Sequence, residues 1–214
     1  MHPLLALVLA YVTGSFPSAY LAGRAIKGVD LRTMGSGNLG ATNVYRNLGA
    51  PAAIAVLLLD ALKGALPVAL LPGLLAARFV PGETAALGWA LAFGVAAILG
   101  HAKPIFLLWR GGGKGVATAS GVFAVIAPVG FLVSFLVFLL VAWRTRIVSL
   151  GSILSAAALP PALVLTEGPR SPVFLAGCAI SIFVIWSHRK NIARLRQGTE
   201  PRTFNTAGKA GGST

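Results

Sequence analysis

The chain alternates between long apolar runs and short polar islands. Apolar residues fill 3–24, 52–71, 85–100, 116–143, 148–165 and 173–186. Most of these runs have about the length of a membrane-crossing helix, which needs roughly 20 apolar residues. The first run carries Gly14-Ser15-Phe16-Pro17-Ser18 in its second half. Pro17 has no N–H to continue a helix, so it kinks the run or opens its backbone, a break tolerated where protein or water covers it. The run over 116–143 is too long for one span. As a single helix it would reach about 42 Å at ~1.5 Å per residue, against a hydrocarbon core of about 30 Å. Arg110 and Lys114 precede it, and Arg144 and Arg146 follow it. With both basic clusters on one side the stretch turns back, and Pro128-Val129-Gly130 supplies the turn. The pattern therefore predicts a hairpin of two short helices here and about seven transmembrane helices in all.

Composition agrees with a membrane location. Of 214 residues 56% are hydrophobic and 11% charged, whereas a soluble domain carries roughly 25% charged residues. The expected fold class is an all-α, polytopic membrane helical bundle. It forms a single domain over residues 1–204, followed by a disordered Gly-rich tail over 205–214. The net charge of +13 raises nucleic acid as a partner, but the basic residues sit between apolar runs, as the positive-inside rule requires; no nucleic acid is expected. With the amino terminus outside and the carboxyl terminus cytoplasmic, every Lys and Arg falls on the inner side except three. Arg78 and Arg170 lie in outer loops, and Lys63 lies inside the second run. This orientation places three polar islands, 35–46, 101–115 and 188–202, on the cytoplasmic face. The sole cysteine, Cys178, has no intramolecular disulfide partner and reads as a packing residue.

The first island, Gly-Ser-Gly-Asn-Leu-Gly-Ala-Thr-Asn-Val-Tyr-Arg over 35–46, holds three glycines, four short polar side chains and one cation. Gly35, Gly37 and Gly40 leave backbone N–H groups accessible to a ligand. A helix is predicted from about residue 39, ending at Gly49 before Pro51. On it Asn38, Thr42 and Arg46 would share one face. A glycine turn, a helix start and an arginine together suit a phosphate; a plain inter-helix loop is the alternative. Asp60 and Lys63, three apart in the second run, can pair. They either form a structural ion pair tying that helix to the 35–46 loop or face a watery cavity.

The second island repeats this logic. Gly111-Gly112-Gly113-Lys114-Gly115 precedes a helix and offers N–H groups and a lysine to an anion. It is not a Walker A loop, because glycine rather than Ser or Thr follows the lysine. A flexible basic loop at the lipid headgroups is the alternative. His101 is an acid/base candidate or a helix-end cap. In the third island His188 and Asn191 share a face just beyond the last helix, while Arg189, Lys190 and Arg194 suit anionic lipid. His188 can change charge near neutral pH. Only Asp30, Asp60, Glu83, Glu167 and Glu200 carry carboxylates. No zinc-spaced set is present, no cofactor is implied, and no His-x-x-x-x-Asp pair exists. A reaction here needs an already activated substrate. Cys178 lies away from the islands, and adjacent Ser187 and His188 point about 100° apart on a helix, so a direct reaction without a covalent enzyme intermediate is expected.

Five segments, residues 14–20, 35–46, 60–64, 100–118 and 188–200, resemble in order the bacterial integral-membrane acyl-phosphate:glycerol-3-phosphate acyltransferases. One departure is that three glycines precede Lys114 where that family usually carries two, which leaves open which glycine fills which role. The resemblance implies seven membrane helices and a cytoplasm-facing site in the cell (inner) membrane. It implies transfer of a fatty acyl group from acyl phosphate to the 1-hydroxyl of glycerol 3-phosphate, giving lysophosphatidic acid and phosphate. By position, Ser36, Gly37, Asn38, Gly40, Thr42, Asn43 and Arg46 would hold phosphate. Gly112, Gly113 and Lys114 would bind the acyl-phosphate end. His188 and Asn191 would complete the site, with Glu200 bracing it. Membrane lipid and a soluble acyl-phosphate-producing enzyme are the other partners to consider. The rival reading is a small transporter of an anionic metabolite, against which the sparse polarity of the outer loops counts.

Overall fold

The computed structural model describes residues 1–203, and the tail expected over 205–214 lies outside the described residues. Those residues form ten α-helices and no strand. The first apolar run is two helices, α1 (Pro3–Gly14) and α2 (Ser18–Lys27), broken where Pro17 was expected to break it. Ser15 Oγ donates to the Tyr11 carbonyl at the break (2.8 Å). α3 (Ala41–Leu48) and α4 (Ala50–Leu70) are separated only by Gly49, whose φ of 90° suits glycine. α5 covers Glu83–Ala102.

The run over 116–143 is also two helices, α6 (Val116–Ile126) and α7 (Pro128–Thr145). Ala127, at φ −142° and ψ 70°, interrupts the helix, and Pro128 restarts it at the first position. A continuous helix from 116 to 145 would hold its ends about 44 Å apart. Instead Lys114, before α6, and Ser149, early in α8 (Val148–Glu167), reach the same side-chain cluster through Asn191 and Glu200. The chain therefore doubles back, as the flanking charges required. The two arms are unequal. α7 is long and apolar enough to cross a membrane, whereas α6, at 11 residues, spans only about 16 Å. Among the described residues five stretches could cross alone: Pro3–Lys27, Ala50–Leu74, Glu83–Leu107, Pro128–Thr145 and Val148–Glu167. α9 (Pro172–Ser187) and α10 (Arg189–Arg196) together make a sixth, bent by 57°.

Close backbone contact locks the bundle. A methyl group on Gly14 would fall 2.1 Å from the Ala97 carbonyl oxygen, and one on Gly100 would fall 2.2 Å from that of Tyr11. These two seams join α1 to α5. Gly64 against Thr118 O (2.1 Å) and Gly121 against Ala61 O (1.9 Å) join α4 to α6 in the same way. Apolar packing completes the interior around Phe93, Val122, Phe123 and Leu163. Leu58, Leu140, Leu165 and Ile182 point outward, where a membrane protein meets lipid.

One network of buried charge lies at the α1–α2 break. Asp60 Oδ1 accepts from Ser18 Oγ (2.5 Å) and pairs with Lys63 Nζ (2.7 Å), which also donates to the Phe16 carbonyl (3.0 Å). One of the two readings of the Asp60–Lys63 pair tied α4 to the 35–46 loop. The pair instead ties α4 to the α1–α2 break, whose interrupted helix leaves carbonyls to be satisfied.

Candidate active site

The first island is built around Asn43, which is 1% exposed. Its Oδ1 accepts from the Ser36 N–H and from Asn47 Nδ2 (both 3.2 Å), and its Nδ2 donates to the Leu31 and Met34 carbonyls (both 3.1 Å). All of its amide is spent on the loop, so Asn43 shapes the turn that presents Ser36. Gly35, at φ 56°, lies so close that a side chain there would strike Asn43 Oδ1.

The helix expected from residue 39 begins two residues later. Gly40 is extended (φ −137°), and the Leu39 N–H donates to the Gly112 carbonyl of the second island (3.1 Å) rather than into a helix. Thr42 and Arg46 share a face of α3, but Asn38 sits in the loop before it. The single-face arrangement of all three is therefore corrected, although Asn38 still borders the same cavity. Arg32 joins the two islands as well: Asp30 grips it in an ion pair (2.6 Å), and its Nη1 donates to the Arg110 carbonyl (3.1 Å). The Arg32 hydrogen bonds hold the Asp30 carboxyl down at about 2.

In the second island the Gly113 N–H donates to the His101 carbonyl (3.1 Å), which seats the loop on the end of α5. Lys114 then extends to Asn191 Oδ1. Burial pushes the Lys114 ammonium down to about 8, against the pull of Glu200 and with the added push of Arg194 and Arg46.

The third island is a helix junction. His188 lies between α9 and α10 and is 3% exposed. Its Nδ1 meets the Val184 carbonyl at 2.8 Å. A carbonyl only accepts, so in the neutral ring Nδ1 carries the proton and Nε2 is the acceptor. Asn191 Nδ2 donates to Glu200 Oε1 (2.6 Å), Ser149 Oγ donates to the same oxygen (2.7 Å), and Arg194 Nε donates to Oε2 (2.6 Å). Burial opposes ionisation of Glu200, but these three donors outweigh it and hold the carboxyl below its ordinary value. Arg46 Nη2 reaches the Pro201 carbonyl (3.4 Å). Burial lowers its guanidinium's pKa, with Glu200 opposing.

The islands close on one cavity of about 130 Å³. Ser36, Asn38, Gly40, Thr42, Asn43 and Arg46 border it on one side, and Lys114, His188, Asn191 and Glu200 on the other. Gly37, Gly112 and Gly113 border a second, more open lobe of about 340 Å³ that shares Ser36, Asn38, Lys114 and Asn191 with the first. Lys103, Arg189, Lys190 and Arg194 rim that lobe, beside Phe183 and Trp186. A narrow crevice between α6, α7, α8 and α9 begins at Val116 and Ser152, which also border the main cavity, and runs along Phe123, Phe131 and Leu159. Sequence reasoning missed Ser149 and Ser152 as cavity residues, whereas Asp60, for which a watery cavity was one of the two readings, does border it. A serine in the first turn of α8, beside the Arg144–Arg146 cluster, was the available signal for Ser149. Among the described residues no three His, Cys, Asp or Glu side chains group to hold a metal ion.

Fold and site together define a multi-pass membrane protein in which glycine loops and cations gather at helix ends beside an apolar crevice. The family model for glycerol-3-phosphate acyltransferase matches residues 4–198. The glycerol-3-phosphate acyltransferase of Geobacter sulfurreducens is 46% identical over 203 residues, covering 94% of this chain and 98% of that protein. That of Synechococcus sp. (strain CC9902) is 47% identical over 204 residues, covering 94% and 96%. The crystal structure of PlsY (YgiH), an integral membrane glycerol 3-phosphate acyltransferase, in its glycerol 3-phosphate form superposes with a TM-score of 0.81 at 38% identity, covering 94% of both chains. The lysophosphatidic acid form gives 0.78 at 37% identity, again covering 94% of both. The chain belongs to the glycerol-3-phosphate acyltransferase family.

Proposed function

We propose that this acyltransferase moves a fatty acyl group from acyl phosphate to the 1-hydroxyl of glycerol 3-phosphate, as an early step of phospholipid synthesis. The observation that carries this reading is the meeting of three basic islands, the first two framed by glycines, at one cavity from which an apolar crevice leads into the bundle. Two phosphates and one acyl chain need those surroundings. Arg46, with Ser36, Asn38 and Thr42, grips the phosphate of glycerol 3-phosphate; a guanidinium holds phosphate through two parallel hydrogen bonds. The N–H groups of the Gly112–Gly113 loop and Lys114 take the acyl-phosphate head. Asn191, fixed by Glu200, holds Lys114 in place.

In the reaction the glycerol 1-oxygen attacks the acyl carbonyl carbon, and the carbonyl becomes an oxyanion that loop N–H groups and Lys114 stabilise. Collapse breaks the acyl–phosphate C–O bond and releases phosphate. The hydroxyl proton passes to His188 Nε2 or to the glycerol 3-phosphate group itself. Acyl phosphate is already activated, so no covalent enzyme intermediate is required. The site faces the cytoplasm of the cell membrane in this reading, and a soluble enzyme that makes acyl phosphate is the natural supplier. Purified protein incubated with palmitoyl phosphate and labelled glycerol 3-phosphate should yield labelled lysophosphatidic acid and one phosphate per turnover. Product formation from palmitoyl-CoA or palmitoylated carrier protein, with none from palmitoyl phosphate, would overturn the donor assignment.

A further inference from the structure

His101 is the one histidine of the polar islands that the mechanism above does not use. It sits in the last turn of α5 and is 6% exposed. On one side its Nδ1 faces Asp60 Oδ1 at 3.8 Å. That carboxylate is held by Ser18 and Lys63, and Lys63 in turn by the Phe16 carbonyl. On the other side the ring edge presses on the second island. A methyl group on Gly113 would fall 1.8 Å from His101 Nε2 and 2.3 Å from Cε1. The backbone contacts run the same way: the Gly113 N–H is bound by the His101 carbonyl, and a methyl group on Gly112 would lie 2.1 Å from the Ala102 carbonyl oxygen. The loop thus lies flush against the end of α5 with the imidazole wedged beneath it. Lys114 is the next residue along.

We propose that His101, backed by Asp60, is a positioning residue that sets the height of the Gly111–Gly115 loop and hence the direction of Lys114 toward the acyl-phosphate head. The inference rests on the donor reading above. It explains why an ionisable ring rather than a phenyl occupies the wedge. The side toward Asp60 needs a group that tolerates a buried carboxylate, and the side toward Gly113 needs a flat edge. His101 acts through Gly113, so its removal should weaken use of one substrate and spare the other.

The test is a double-variant cycle read with palmitoyl phosphate and glycerol 3-phosphate varied separately. Gly113→Ala forces a methyl group into the ring and should lower kcat/KM for palmitoyl phosphate by about 100-fold, the scale of a ~1 Å misplacement. His101→Ala should raise KM for palmitoyl phosphate while leaving KM for glycerol 3-phosphate within about twofold, since the two phosphates sit on different loops. The decisive variant combines them. With the ring gone the methyl group has room, so the pair should be about tenfold more active than Gly113→Ala alone, a coupling expected only of residues in contact. If His101→Ala does not accumulate as folded protein, His101→Ser replaces it in the same cycle. A double variant no better than Gly113→Ala, or equal loss for both substrates in the single His101 variant, would sink the positioning role. Inactivity of the unaltered protein with palmitoyl phosphate would instead remove the donor reading.

Discussion

Asn191 donates to Glu200 across 2.6 Å, and that single contact fixes which way its amide points. With the NH2 group held by the carboxylate, the carbonyl oxygen faces the Lys114 ammonium. An amide is the side chain that can satisfy an anion with one end and a cation with the other. Asn191→Asp should therefore do more harm than its isosteric size suggests, because it sets a second carboxylate against Glu200. An activity loss greater than about tenfold is expected, since removing one partner of a buried charged hydrogen bond costs roughly 1.5–3 kcal/mol. Activity within twofold of the unaltered enzyme would show that the amide's orientation is immaterial.

Arg46 is the single cation of the first island and borders the main cavity. Arg46→Lys keeps the charge but loses the planar fork. The variant should remain folded, judged by its elution as a monodisperse species in detergent, and should show a KM for glycerol 3-phosphate raised at least tenfold. A near-normal KM would remove Arg46 from the phosphate site.

The depressed pKa of Lys114 gives a signed pH dependence. The ammonium is charged below about 8 and neutral above it. If the charge is needed, kcat/KM for palmitoyl phosphate falls as pH rises through about 8, approaching tenfold per unit for a single group. Stability moves the other way. Between about 8 and the ordinary 10.5 the unfolded chain binds more protons at this position than the folded one, so the contribution of Lys114 to stability rises with pH over that window. Lys114→Arg, which stays charged, should flatten the alkaline limb whatever its absolute rate. An alkaline limb unchanged by Lys114→Arg would assign it to another group.

The α6–α7 return can be read chemically. In a Cys178→Ser background, single cysteines at Lys114 and at Arg146 should react with an impermeant thiol reagent from the same side of sealed vesicles, and that side should be the cytoplasmic one. Labelling from opposite sides would contradict the hairpin.

Direct transfer predicts intersecting initial-rate patterns and no acyl group left on the protein. Ser187→Ala should change the rate little, whereas His188→Ala should lower it by about 100-fold if its ring accepts the proton. Parallel-line kinetics or an acyl ester trapped on a serine would replace direct transfer with a two-step route. A mild effect at His188 would leave the substrate's own phosphate as the acceptor.

What sequence alone disclosed was mostly local. Pro17, Gly49 and Pro128 mark helix breaks because proline lacks a donor and glycine tolerates positive φ, and both properties act within one turn. The polar islands were legible by contrast with their apolar surroundings. The departures all come from contacts far apart in sequence. The helix after Asn38 starts late because Leu39 gives its N–H to Gly112. Ser149 belongs to the site only because Glu200, 51 residues later, bonds to it. Lys63 turns toward Phe16 rather than the neighbouring loop because the α1–α2 break presents a carbonyl there. No periodicity encodes such pairings. Sequence could nominate these residues but not their partners.

The glycine seams of the bundle have a further consequence for the site. Gly64 and Gly121 set how closely α6 approaches α4, and thereby the offset between Lys114 and Asp60. Gly100 and Gly14 set how closely α5 approaches α1, and thereby the offset between His101 and the break at Pro17. The dimensions of the polar chamber are thus governed by four hydrogen atoms on α-carbons, none of which faces it. An alanine at any of the four would prise two helices apart and alter the chamber's calibre while leaving every polar side chain unchanged.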